Sequence, residues 1–306
     1  MRRKIFAAGL SILALLFVIY PDIACKGAES GLMLWFNVFI PSLLPFMIIS
    51  SLLIKLQVTG YISRIFYPVF HCIFGLSESG CYPAIVGMLS GYPLGAGTVG
   101  EIYRQNGISK KEAQYLLGFC NNASPMFMLE YVGVKCLNLD KPIVILLILY
   151  ISAIINAWIS RYKYNGSGNY EENISKQKYP LMEALDKSIL SSAVTLTKVG
   201  GYIILFSIAA GLIQYILPVS DIVKLAGCGI LEITTGCEMI AMSHINIMIK
   251  RVVIAGACAF GGFSSVAQTA SVLIGTGLSM KKYLWQKFRQ SLIAVLIALV
   301  VFNFLN

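Results

Sequence analysis

Charged side chains are scarce in this chain. Asp, Glu, Lys and Arg make up 12% of its 306 residues, against 57% hydrophobic residues and a mean hydropathy of +0.76, where soluble domains carry roughly 25% charge. A water-soluble fold of this size could not cover its surface with so few charges. Histidine is nearly absent: His71 and His244 stand alone, with no second ligand at i+3 or i+4, which argues against a zinc site. The cysteines at 25, 72, 81, 120, 136, 228, 237 and 258 form no CxxC pair and lie mostly within apolar sequence. They read as small core residues, not as a disulfide frame or metal cluster. HExxH, paired intramembrane aspartates and a Ser/His dyad are also missing, so neither an enzyme nor a bound cofactor is expected.

What is present is a series of stretches without Asp, Glu, Lys or Arg: Ile5–Pro21, Gly31–Ile54, Ser79–Gly100, Ala113–Leu129, Pro142–Ser160, Val199–Ser220, Val252–Met280 and Gln290–Asn306. Several exceed the roughly 20 residues that cross a hydrocarbon core. The expectation is an all-α polytopic membrane protein with about eight transmembrane segments. The net charge of +10 gathers in short clusters between apolar segments, Arg2-Arg3-Lys4, Lys110-Lys111, Lys250-Arg251 and Lys281-Lys282. Cytoplasmic loops have this pattern, and nucleic acid is not an expected partner. Arg2-Arg3-Lys4 before an apolar run also resembles a secretory signal. Asp22 and the new apolar segment at Gly31 favour a retained first helix, residues 1–30.

Pro41 and Pro45 should kink or break the segment that follows, and Pro68 interrupts Ile65–Ser77, a stretch expected to lie at the interface or enter partway. The most informative region is 87–100, with Gly at 87, 91, 95, 97 and 100 around Tyr92-Pro93. It predicts a re-entrant hairpin buried in protein; a GxxxG helix-packing face, Gly87-x3-Gly91-x3-Gly95, is the alternative. Ser109 and Glu112 have capping-box spacing at a helix start. That helix meets Asn121-Asn122-Ala123-Ser124-Pro125, where the asparagines can end it, Ser124 can N-cap the next and Pro125 suits its first position. Polar groups at bilayer depth need a partner, either neighbouring helices or a bound solute.

A polar connection from Arg161 to Tyr179, with sequons at Asn165 and Asn173, marks the boundary between halves. The second half repeats the order of features: Gly261 to Ala270 is read as a second hairpin, followed by Gly277-Leu278-Ser279-Met280-Lys281. An offset of 170 pairs Gly91 with Gly261, Gly107 with Gly277, Ser109 with Ser279 and Lys111 with Lys281. Two related halves, each with a re-entrant or broken-helix hairpin, point to a solute site at their interface. Its expected lining is Ser90, Gly91, Tyr92, Pro93, Gly95, Thr98, Asn121, Asn122 and Ser124 from the first half and Gly261, Ser264, Ser265, Gln268 and Thr269 from the second. Half-helix N-termini would favour an anionic or strongly polar solute. Glu78 and Glu232, at ends of apolar segments, could couple an ion or proton, or simply face water.

Leu89-Ser90-Gly91-Tyr92-Pro93-Leu94-Gly95-Ala96, the helix start through Glu112, Gly118 to Pro125 and Gly261 to Gln268 closely resemble the sporulation integral membrane protein YlbJ family of the nucleoside-recognition, or Gate, group. The resemblance covers roughly Asn37 to Gln290. It implies a transport-like fold with inverted repeats, 31–162 and 181–306, joined by a linker at 163–180. It further implies a role in spore formation at a bacterial plasma or forespore membrane. A permease for a small solute and a non-transporting scaffold or sensor both fit, and a second copy or other sporulation membrane proteins would be the partners. Inverted repeats would set Lys110-Lys111 and Lys281-Lys282 on opposite faces, whereas their shared positive charge places them together.

Overall fold

A computed structural model describes residues 2–164, 179–216 and 221–304, and every regular element among them is helical. Most of the predicted linker, with both sequons, lies outside the described residues. The chain opens with α1 (Arg2–Ile19) and α2 (Pro21–Leu34), which meet at 108°. Pro21 at the first turn of α2 begins the new direction. A π-helical turn, Trp35–Phe39, leads into α3 (Ile40–Lys55). Pro41 cannot supply the N–H that an α-turn would need there, and the wider turn just before it accommodates the missing bond. The next helix, α4 (Thr59–Phe74), runs unbroken through Pro68 and leaves the line of α3 at 101°.

The glycine-rich region forms the expected hairpin, α5 (Glu78–Ser90) and α6 (Leu94–Arg104), turning at Gly91-Tyr92-Pro93. Both sequence readings of its glycines contain part of the answer. Gly91 makes the turn, with φ +81° and ψ −170°, a backbone open essentially to glycine. Gly87 and Gly95 bring the arms together: a Cβ on Gly95 would stand 2.8 Å from Gly87 Cα. Next comes α7 (Lys110–Cys120), then a break at 121–124 and a helical segment whose π-helical part is Phe127–Cys136. Ser109 caps α7 through Glu112 N at 3.1 Å, and Ser124 caps the second piece through Phe127 N at 3.3 Å, both as expected. The first half closes with α8 (Ile143–Tyr164).

After the 36-residue α9 (Leu181–Ile216), the same order of elements returns. A helical hairpin, α10 (Asp221–Leu231) and α11 (Ile233–Met242), is followed by α12 (Ile247–Phe260), a break at Gly261, α13 (Gly262–Val272) and the long α14 (Met280–Phe304). The second hairpin is therefore not where the sequence reading placed it. Its tip is at Glu232, and its arms meet at Gly229 and Gly236, where a Cβ on Gly236 would stand 2.2 Å from Gly229 Cα. Gly261 instead interrupts a helix pair that is long and apolar enough to act as one span, the counterpart by position of the break at 121–124. Hydropathy cannot separate these cases, because a hairpin arm and half of a broken span are both short apolar helices.

Among the described residues, α8, α9, α12–α13 and α14 are each long and apolar enough to cross a membrane, and the bent pairs raise the number from four to six. Expected spans such as Ser79–Gly100 fold back as hairpin arms instead. Exposed apolar side chains, among them Phe46, Ile49, Leu147, Trp158, Leu205, Leu296 and Val300, clothe the outer faces of the long helices. An integral multi-pass membrane protein is the arrangement that suits this surface.

The offset of 170 also fails topologically. Gly107 lies between a hairpin arm and the broken helix, while Gly277 lies after the broken helix and before α14. The two loops are not equivalent, and they sit side by side: Ser279 N donates to Gln114 Oε1 at 2.7 Å, and Gln114 Nε2 donates to Ser279 O at 3.2 Å. Both lysine pairs thus share one end of the bundle, as their charge required.

Candidate functional site

Each hairpin tip presses on the break of the helix that follows it. In the first half Tyr92 N donates to Asn122 O at 2.7 Å, and a Cβ on Gly91 would stand 2.6 Å from Ser124 N. In the second, a Cβ on Gly262 would stand 3.2 Å from Leu231 O and 3.3 Å from Ile233 N. The first tip also approaches the second break, since a Cβ on Gly261 would lie 3.4 Å from the Tyr92 ring. Exposing backbone groups at a break is costly in an apolar interior, and a glycine-rich tip is narrow enough to reach and satisfy them.

Around the first break lies a buried polar cluster. Asn121 Oδ1 accepts from Ala96 N at 3.1 Å, and its amide donates to Thr269 Oγ1 and to Tyr283 OH, both at 2.9 Å. Asn122 donates to Phe119 O at 2.6 Å, and its Oδ1 accepts from Lys287 Nζ and Gln290 Nε2, both at 2.8 Å. Lys287, fully buried, also donates to Gln290 Oε1 at 2.8 Å and Asn121 O at 3.3 Å. Its Nζ is thus met by three neutral oxygens. Asn121, Asn122 and Thr269, expected to line a solute site, here bind α6, α7, α13 and α14 to one another.

Tyr283, Lys287 and Gln290 were missed by the sequence reading, which treated α14 as apolar from Gln290 onward. They are legible in retrospect: with Ala294, Ala298 and Phe302 they form the buried stripe of α14, and a lysine on such a stripe marks a polar partner inside the bundle.

The remaining expected residues separate into groups. Ser90, Tyr92 and Ser124 border a gap of only 20 Å³ beside the first tip. Ser265 donates to Gly262 O at 3.0 Å. Ser264 accepts from Gln268 Nε2 at 3.1 Å, while the buried Gln268 Oε1 has no partner among the described residues. Glu232 is buried at the second tip, where its carboxylate caps α11 by accepting from Thr235 N at 2.7 Å. Glu78 stands apart, pairing with the exposed Arg64 at 3.3 Å. The first N–H groups of α6 are engaged as well, with Gly95 N on Gly91 O, Ala96 N on Asn121 and Gly97 N on Pro93 O.

Open space with polar walls begins at Pro93 and Leu94, on the other side of α6. A cavity of 390 Å³ lies between α3, α6, α9 and α13. Hydroxyls face it from each helix: Ser50 and Ser51, Thr98, then Ser191, Ser192 and Thr195, and Ser271. Lys55, Arg104 and Lys198 line it, with Glu101 as the one carboxylate among the described residues. Arg104 is held in place by donating to Val272 O at 2.8 Å and Ile274 O at 3.2 Å. Of the expected site residues, Pro93 and Thr98 reach this cavity.

A family model described as Gate, nucleoside recognition, matches residues 36–134, which contain the first hairpin and the break it contacts. The sporulation integral membrane protein YlbJ of Bacillus subtilis (strain 168) is 24% identical over 322 aligned residues, covering 93% of this chain and 79% of the relative. The resemblance to YlbJ holds along nearly the whole chain. Among solved structures, an asparagine-to-leucine variant of CNTnw in its intermediate 1 state superposes with a TM-score of 0.56 at 14% identity, over 95% of this chain and 87% of that one. The fold is shared.

Proposed function

We propose that this protein carries a small polar or anionic solute across a bacterial cell membrane during spore formation, with the 390 Å³ cavity as its solute chamber. The observation that carries the reading is the cavity's chemistry: three cations and one carboxylate among hydroxyl-bearing helices, beside the hairpin tip of a Gate-like fold. Ionisable groups at membrane depth are costly unless they serve a pathway or partner one another. The sporulation role follows the name of the YlbJ relative, and the two halves, with matching element order, are read as inverted repeats around the chamber. The test is a thermal-shift screen of the detergent-purified protein against inorganic phosphate, succinate and uridine, repeated with Lys55→Gln. A stabilising compound whose effect is lost in the variant supports the chamber; one stabilising both equally places binding elsewhere.

A second reading, a non-transporting scaffold in spore assembly, is favoured by the cluster at the first break. Asn121, Asn122 and Lys287 spend their hydrogen bonds on the protein itself, as a rigid clamp would. Partner capture from sporulating cells, together with no flux for any compound tested, would favour it.

A further inference from the structure

At the end of the bundle where the two lysine-bearing loops meet, α7, α8 and α14 enclose a second cavity of 550 Å³. Lys111, Lys281, Lys282 and Arg289 line it together with Ser160 and Trp285, and no carboxylate does so among the described residues. Arg289 is fixed on one side by donating from Nε to Asn156 Oδ1 at 2.7 Å and from Nη2 to Asn156 O and the Ser160 hydroxyl. The three lysines are exposed, and none forms an ion pair among the described residues. Four cations gathered without an acidic partner repel one another, and an anion between them removes that cost.

The position on the helices selects the anion. Lys281 and Lys282 begin α14, a membrane-spanning helix, and Trp285, 64% exposed, stands one turn further in. Below it the outer face of α14 continues with Phe288, Leu292, Leu296 and Leu299, all exposed. Lysine, then tryptophan, then aliphatic surface is the sequence of environments met from headgroup to hydrocarbon. A free phosphate would use only the top of this surface, whereas a phospholipid would use all of it.

The geometry points to a site for an anionic glycerophospholipid, its phosphate among Lys111, Lys282 and Arg289 and its acyl chains descending over Trp285 and Phe288. Basic recesses between transmembrane helices at the cytoplasmic side hold lipid headgroups in this way. Lys110-Lys111 and Lys281-Lys282 then serve lipid recognition in addition to orientation.

Native mass spectrometry of the delipidated full chain, titrated with phosphatidylglycerol or phosphatidylcholine, tests the site. Wild type is expected to prefer phosphatidylglycerol, and Lys111→Gln/Lys282→Gln to bind it about thirty-fold more weakly, at roughly five-fold per surface lysine. Binding of phosphatidylcholine should not change. Lys111→Arg/Lys282→Arg should retain the preference, which separates loss of charge from loss of fold, and Lys26→Gln on α2 should leave it intact. Equal binding of both lipids by wild type, an unchanged preference in the glutamine double variant, or full displacement of phosphatidylglycerol by millimolar glycerol 3-phosphate would overturn the inference; the last outcome would assign the cations to a soluble phosphate compound.

Discussion

Gly91→Ala asks whether the first hairpin tip is fitted to the helix break or merely lies near it. At φ +81° and ψ −170°, any side chain is strained by about 1–3 kcal/mol. The new Cβ would meet Ser124 N at 2.6 Å and Asn122 O at 3.0 Å. These are backbone atoms that cannot swing aside, and overpacking of this kind adds about 1–3 kcal/mol. Reduced freedom of the unfolded chain returns about 0.4–1 kcal/mol. The net expectation is a loss of about 1–5.5 kcal/mol, or a midpoint lower by roughly 2–16 °C at the soluble-protein scaling of about 2–3 °C per kcal/mol. Gly201→Ala is the control: it lies inside α9 with nothing within 4 Å of its Cβ position, so alanine should be neutral or stabilising by up to about 1 kcal/mol. Thermal unfolding of both variants in one detergent decides the matter. Equal midpoints would refute the close fit of tip and break.

Lys287→Met leaves Gln290 Oε1 and Asn121 O without the donor they now share, at about 1–3 kcal/mol each, offset in part by relief of burying the ammonium; a midpoint several degrees below wild type is expected, and an unchanged or raised one would contradict the clamp. Glu112→Ala removes the carboxylate that accepts from Ser77 N at 2.7 Å and Ser77 Oγ at 2.9 Å. It should cost about 2 kcal/mol and speed hydrogen exchange at the starts of both α5 and α7; exchange faster only in α7 would show that the bridge between them matters little. Glu232→Gln should keep the cap on α11 and stay near wild-type stability, whereas Glu232→Ala should lose about 1–2 kcal/mol; an equal loss in both would mean that the charge, not the cap, is what the site needs.

The sequence made the membrane class, the first hairpin and the break at 121–124 legible because each rests on local chemistry: long charge-free runs, glycine around Tyr92-Pro93, and Ser124-Pro125 at a helix start. The second hairpin was misplaced because Gly261-Gly262 imitates a turn in composition, while the real tip at Glu232 turns without proline. The chamber was out of reach for a different reason. Its walls come from α3, α6, α9 and α13, and Ser191, Ser192, Thr195 and Lys198 read along α9 as an ordinary polar stretch. Only packing gives them a common space with Thr98 and Arg104. Likewise, the asparagines were rightly expected to need partners, but the choice between helices and solute depended on Lys287 and Tyr283, distant in sequence.

Flux through the chamber is the most direct test of the account. Gly97 lines the cavity, and its Cβ position has no atom nearer than Val272 Cβ at 3.9 Å, so Gly97→Leu should fill space without unfolding the protein. Liposomes containing wild type should take up at least one of radiolabelled phosphate, succinate and uridine, and liposomes containing the correctly folded Gly97→Leu variant should take up little of it. Equal uptake by the two proteins, or none by wild type across all three compounds, would contradict a carrier that works through this cavity.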